Sequence, residues 1–209
     1  MRSGLLVPFG TAEEIEAALP GVVAHLRAQR VIAYPTETVY GFGSSLMHEA
    51  ITRVARIKRA VPERQFIALL SGYEMLEQLD VKLGDDAKTL ADQFWPGPLT
   101  LLVHNSRRVK TGVRWTPHPG AQRLIRAFGA PVTSTSANRT GLPPATTAEE
   151  IVAEWASEIR DRILLVLDGG APVAGLPSTI VDCTENPPRI VRRGAVDADA
   201  LRFVLPSIV

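Results

Sequence analysis

Cysteine is almost missing from this chain, Cys183 being the only one. An internal disulfide is therefore excluded. With no base near it in sequence, Cys183 reads as a buried structural thiol rather than a nucleophile. His25, His48, His104 and His118 are scattered, with no His-x-x-x-His or His/Cys spacing, so a transition-metal site held by the protein is not expected. No Gly-x-x-x-x-Gly-Lys-Ser/Thr loop occurs, and Gly41-Phe42-Gly43 lacks the third glycine of a dinucleotide fingerprint. No serine sits in a Gly-x-Ser-x-Gly elbow, which leaves acyl-enzyme chemistry without support. No apolar run approaches the ~20 residues of a membrane span, and the N-terminus lacks the basic start and apolar run of a secretion signal. A cytoplasmic location without membrane attachment is the expectation. The net charge of +1 carries no field argument by itself.

What is present is an ordinary globular composition over 209 residues, enough for one domain spanning 1–209 with a sizeable core, or at most two small ones. The most informative stretch is Pro131-Val-Thr-Ser-Thr-Ser-Ala-Asn138, an apolar lead-in ending in four hydroxyl side chains and then a carboxamide. Each hydroxyl both donates and accepts, and Asn138 adds two donors and an acceptor. Tyr34-Pro-Thr-Glu-Thr-Val-Tyr-Gly-Phe-Gly43 is a second strand end opening into a turn rich in hydroxyls and glycine. Ile57-Lys58-Arg59 closes a helical stretch with two cations, and Leu176-Pro-Ser-Thr-Ile-Val-Asp182 puts a Ser-Thr pair at a strand start. Polar atoms at strand ends with cations nearby describe a pocket for an anionic small molecule.

Thr11-Ala-Glu-Glu14 is a capping-box pattern, and Ile15, Leu19, Val22, Val23 and Leu26 follow at helical spacing. Pro20 interrupts this helix and predicts a kink or a split into two. Further helices are expected over 49–58, 85–94, 119–128, 147–158 and 197–203. Strands are expected over 31–34, 66–70, 99–104, 113–115, 131–134, 163–167, 178–182 and 189–192. Elements mix without strict alternation, and the end of the chain favours paired strands. This pattern argues for an α+β or mixed-sheet α/β fold.

Without a P-loop, phosphate binding falls to side-chain cations and loop amides. Lys58 and Arg59, reinforced by Arg64, are the best candidates, a point charge beside a bidentate fork. A solvated helix end, where cations also suit the dipole, is the alternative. Glu37 is the one acid in a candidate pocket loop, as base, ligand or turn-stabilising carboxylate. Tyr40 either stacks on a base or fills the core. Trp95-Pro-Gly-Pro98 reads as structural punctuation before a core strand. Arg107, Arg108, Lys110 and Arg114 form a basic stretch that makes RNA a secondary candidate partner, without a recognised binding motif.

Six segments, in order, resemble the YrdC-like threonylcarbamoyl-AMP synthases in their short, single-domain form. They are residues 34–43, the Lys58-Arg59 region, Phe94-Trp-Pro-Gly-Pro-Leu-Thr100, Val113-Arg114 with His118-Pro119, Ser134-Thr-Ser-Ala-Asn138, and Pro177-Ser-Thr-Ile-Val-Asp182. The resemblance runs from about residue 11 to 196. It implies a twisted mixed α/β sheet with flanking helices around a concave, positively charged cavity. It also implies formation of threonylcarbamoyl-AMP and pyrophosphate from L-threonine, bicarbonate and ATP, with Mg²⁺ arriving on the ATP. A separate tRNA threonylcarbamoyl transferase would use the product.

Carried over by motif, Thr36, Arg114 and Ser178 would hold the threonine, Arg114 pairing its carboxylate. Lys58 and Arg59 would meet the phosphates, and Ser134, Ser136, Asn138 and Arg192 would line the nucleotide side. One departure stands out. The family usually reads Lys-x-Arg at the phosphate helix end, and the third position here is Ala60. Either Arg59 or Arg64 substitutes for that guanidinium, or ATP use is altered. The loop at Leu142-Pro-Pro-Ala145 also lacks a serine often found there. Two other functions compete: a YrdC-like RNA-binding or ribosome-associated protein without synthesis, and a carbamoyl-transfer domain of hydrogenase maturation. The second is disfavoured because no zinc-finger or acylphosphatase-like segment accompanies it.

Overall fold

Thr11 accepts a hydrogen bond from the Glu14 amide, and the Glu14 carboxylate accepts from the Thr11 amide, closing the capping box the sequence announces. The helix it starts, α1 (Ala12–Arg27), is not split at Pro20. Proline removes one backbone donor, and Ile15, Val22, Val23 and Leu26 are buried on both sides of it, so packing holds the two halves in one element. The computed structural model describes residues 6–60, 66–170 and 175–209.

The remaining helices are α2 (His48–Lys58), α3 (Asp85–Phe94), α4 (Pro119–Phe128), α5 (Ala148–Glu154), α6 (Ala156–Arg160) and α7 (Ala198–Val204), with a 3₁₀ segment at Tyr73–Leu79. The strands are β1 (Leu6–Pro8), β2 (Val31–Tyr34), β3 (Gly41–Gly43), β4 (Ile67–Leu70), β5 (Leu99–His104), β6 (Lys110–Trp115), β7 (Val132–Ser136), β8 (Leu164–Asp168), β9 (Thr179–Asp182) and β10 (Arg189–Arg192). Among the described residues they form one mixed sheet in the order β1-β8-β2-β3-β7-β4-β6-β5-β9-β10. This is the mixed-sheet α/β architecture expected from the sequence.

Strand alternation explains where the cavity lies. Thr133, Ala68, Val113, Leu101 and Val181 register across β7, β4, β6, β5 and β9, and all are buried, the last four within the main apolar core. The adjacent row, Ser134–Ile67–Gly112–Leu102, points the other way because successive side chains alternate faces. That second row is a cavity floor. In the other half of the sheet, α5 and α6 pack on β8 and α2 packs on β2, enclosing a second core around Phe42, Tyr40 and Trp155.

Three elements depart from expectation for identifiable reasons. Gly41–Gly43, read as a turn, is a strand between β2 and β7, held by Phe42 against Trp155 edge-to-face at 4.9 Å. The helix expected over 147–158 breaks at Trp155, whose indole N–H donates to the Ile57 carbonyl (3.3 Å). Strand β6 begins at Lys110 rather than 113, which brings Gly112 onto the floor.

Gly43 exists for clearance. A Cβ there would lie 2.6 Å from Tyr34 Cε1 and 3.0 Å from both the Thr133 carbonyl and Val132 Cγ1. Tyr34 is fully buried and cannot retreat. Gly43→Ala is therefore expected to cost about 2 kcal/mol of stability and lower Tm by roughly 5 °C, read by thermal melting.

Candidate functional site

The floor row opens into a cavity of about 430 Å³. It is lined by residues of β4, β5, β6, β7 and β9, the 36–39 loop, the end of α2 and the loop after β7. Of the residues singled out from sequence, Thr36, Lys58, Arg114, Ser134, Ser136, Asn138, Ser178 and Arg192 all line it. Among the described lining residues, Lys58, Arg114 and Arg192 are the cations and none is a carboxylate.

Arg59 is the exception. It caps α2 in the left-handed conformation (φ 52°), is exposed, and is not among the lining residues. Arg64 lies outside the described residues. Sequence reasoning missed Thr38, Gly41, Gly112 and Thr140, which complete the wall and floor. For Thr38 and Gly112 the available signal was their alternation with Thr36 and Arg114.

One end of the cavity is built on Arg114, only 3% exposed. Its Nη1 donates to Thr38 Oγ1 (3.3 Å) and lies 3.4 Å from Glu37 Oε1. Its buried Nε has no hydrogen-bond partner among the described residues. A buried guanidinium with an unused donor is costly unless a ligand completes it. Thr36 anchors the loop, donating to the Val39 carbonyl (2.7 Å) and sharing a 2.9 Å contact with Thr38. Ser178 is held by Thr100 (2.9 Å) and by Arg192, whose Nε and Nη2 donate to its carbonyl at 3.0 and 2.8 Å.

The other end is built on Lys58, 2% exposed at the end of α2. Its ammonium donates to Asn138 Oδ1 (2.7 Å), to the Asn138 carbonyl (3.1 Å) and to the Ser136 carbonyl. Ser136 Oγ donates to the same Asn138 oxygen (2.6 Å), and Asn138 Nδ2 donates to the Leu142 carbonyl (2.5 Å). Thr140 donates to the Lys58 carbonyl through both N–H (3.0 Å) and hydroxyl (3.1 Å), satisfying a carbonyl that the helix end leaves open. The hydroxyl-rich segment and the cation are thus one network.

The other sequence candidates resolve simply. Tyr40 is core, fully buried, its hydroxyl accepting from Gly169 N (3.3 Å). Trp95 donates to the Leu99 carbonyl (2.7 Å), so that segment does tie the end of α3 to β5. Burial, aided by the Asp182 and Asp86 carboxylates, pushes the Cys183 thiol up to about 12, which keeps it un-ionised and a poor nucleophile. The basic stretch disperses: Lys110 pairs Asp182 (2.7 Å), Arg114 enters the cavity, and only Arg107 and Arg108 are exposed. Among the described residues, no group of His, Cys, Asp and Glu side chains could hold a metal ion.

His118 caps α4, its Nδ1 accepting from Ala121 N (3.2 Å). Burial lowers its pKa below the ordinary 6.5, against the opposing pull of Glu37. The unfolded chain therefore takes up this proton first, so stability present above pH 6.5 is lost as pH falls below it. His25, also lowered mainly by burial, acts in the same direction. Tm is expected to drop between pH 7 and 5, and His118→Asn, which caps without titrating, to flatten part of that slope in melts across the range.

The class that fold and site define is a mixed α/β sheet with a cavity at its strand ends into which Lys58, Arg114 and Arg192 face. The chain belongs to the Sua5/YciO/YrdC family, whose model, described as telomere recombination, matches residues 24–194. It is 34% identical over 193 residues to a threonylcarbamoyl-AMP synthase of Pyrococcus abyssi, covering 88% of this chain and 56% of that protein. A threonylcarbamoyl-AMP synthase of Thiobacillus denitrificans is 34% identical over 184 residues, covering 83% of this chain and 95% of its own length. The structure of P. abyssi Sua5 complexed with L-threonine superposes with a TM-score of 0.86 at 29% identity, over 98% of this chain and 62% of that one. The chain thus spans little more than half the length of the P. abyssi relative, while nearly matching that of the T. denitrificans one.

Proposed function

We propose that this chain forms threonylcarbamoyl-AMP and pyrophosphate from L-threonine, bicarbonate and Mg-ATP, in the cytoplasm and for tRNA modification. The observation that carries the reading is one cavity with two differently built cationic ends. At one end a buried guanidinium has an unused donor, and at the other an ammonium sits in a hydroxyl-carboxamide network. The synthase name borne by the relatives and the threonine complex of P. abyssi Sua5 support it.

In this reading Arg114 pairs the threonine carboxylate through its free edge, with Thr36 and Ser178 beside it. Bicarbonate and the threonine amine condense to a carbamate with loss of water. A carbamate oxygen then attacks the α-phosphorus, and the bond to the bridging oxygen breaks to release pyrophosphate. No protein nucleophile is required, because alignment and charge on the phosphates supply the acceleration. Lys58 provides that charge, while Ser134, Ser136, Asn138 and Arg192 line the nucleotide side. Mg²⁺ enters with ATP as part of the substrate. A separate transferase would consume the adenylate.

Incubation with L-threonine, bicarbonate and Mg-ATP tests this by pyrophosphate release. Release that requires both threonine and bicarbonate is expected. Release unaffected by omitting threonine overturns the synthase reading.

A further inference from the structure

Directly behind the Arg114 guanidinium sits a carboxylate that does not line the cavity. Thr36 and Thr38 face inward, and Glu37 between them turns away, its side chain 13% exposed. Its Oε2 accepts from Thr116 Oγ1 at 2.6 Å, and that same hydroxyl accepts from His118 N (3.1 Å). Its Oε1 stands 3.4 Å from Arg114 Nη1 yet makes no hydrogen bond among the described residues. Glu37 is therefore anchored to Thr116, not to the arginine. It cancels much of the arginine's charge without occupying the donor edge, and the Arg114 Nε remains unused.

We propose that Glu37 sets the ligand class at this end of the cavity, admitting a zwitterionic α-amino acid and rejecting a carboxylate that lacks the amino group. This rests on the reading that the cavity takes L-threonine. A bare carboxylate approaching Arg114 gains the attraction of the guanidinium and meets the opposing field of Glu37. An amino acid brings an ammonium that the same Glu37 attracts, so its two charges find opposite partners. Discrimination comes from the repulsive member as much as the attractive one. For unit charges about 6 Å apart at an effective dielectric of ~20, one such interaction changes affinity by on the order of 100-fold. Thr116 is the positioning residue, since its hydroxyl keeps Glu37 from swinging onto the arginine fork.

Calorimetric titration of the wild-type chain, Glu37→Gln and Glu37→Asp with L-threonine, 3-hydroxybutyrate and Mg-ATP tests the assignment. 3-Hydroxybutyrate is the threonine skeleton without the amino group. The wild type is expected to prefer L-threonine by about 100-fold, with most of that preference lost in Glu37→Gln as 3-hydroxybutyrate binds more tightly and L-threonine more weakly. Glu37→Asp retains the preference, and Mg-ATP affinity stays within about twofold throughout. An unchanged ratio in a folded Glu37→Gln protein overturns the role of Glu37 and leaves the amino-acid site standing. Failure of the wild type to bind L-threonine at all overturns both. If Glu37→Gln does not fold, Thr116→Val carries the test: with the carboxylate released onto the fork, both ligands are expected to weaken about tenfold, and unchanged affinities overturn the proposal.

Discussion

Replacing Lys58 by alanine is expected to weaken Mg-ATP binding about 100-fold while L-threonine affinity changes by less than about threefold. The asymmetry follows from position, because Lys58 and Arg114 occupy separate networks of the same cavity. The Lys58 ammonium donates to Asn138 Oδ1 and to the Ser136 and Asn138 carbonyls. A phosphate oxygen therefore either feels the charge across these contacts or displaces the Asn138 carboxamide. Displacement is feasible because Asn138 Oδ1 keeps its bond from Ser136 Oγ. The same variant strips a donor from three acceptors, so it also loosens the loop after β7. Asn138→Ala separates the two effects: it removes one acceptor of the ammonium, leaves the two backbone carbonyls and retains the charge, and Mg-ATP affinity is expected to fall by only about tenfold. Isothermal titration with each ligand checks both. Equal losses of ATP and threonine affinity in Lys58→Ala would sink the division of the cavity into two ends.

Much of this site could be read from residue order because hydroxyls gather where strands end, and ends of neighbouring strands meet. Thr36, Ser136 and Ser178 are such positions, while Ser134 sits two residues inside β7 on the same face as Ser136. Arg59 stays outside the cavity lining for a geometric reason. Neighbours on a helix diverge by about 100°, so a turn that sends Lys58 inward sends the next side chain out. The left-handed cap at Arg59 then completes the reversal. Adjacency of charge in sequence predicts no convergence in space, as the scattering of Arg107, Arg108, Lys110 and Arg114 also demonstrates. Gly112 was hidden because its role depends on register: only pairing with Ile67 and Leu102 puts it on the floor, where a Cβ would meet Leu102 Cδ2 at 3.3 Å. The break at Trp155 was hidden for the same reason. It depends on the Ile57 carbonyl, nearly a hundred residues upstream and invisible to local propensity.

Arg114→Ala is the substitution with the largest expected consequence, because it acts on folding and on ligand together. It removes the guanidinium proposed to pair the threonine carboxylate, and L-threonine binding is expected to fall by more than about 100-fold. It also strands Glu37, whose carboxylate keeps only the Thr116 hydroxyl as a hydrogen-bond partner among the described residues. Breaking a buried pair from one side costs about 3–5 kcal/mol, which corresponds to a Tm loss of roughly 10 °C for a chain of this size. Two companion variants resolve the parts. Arg114→Lys keeps the charge and loses the fork, so stability is largely retained while threonine affinity drops about tenfold. Arg114→Ala combined with Glu37→Gln removes the stranded charge and recovers much of the lost Tm without recovering threonine binding. Thermal melts alongside calorimetry of all three decide the matter. If the double variant regains threonine affinity together with stability, Arg114 is a brace for the 36–39 loop and the carboxylate is gripped elsewhere.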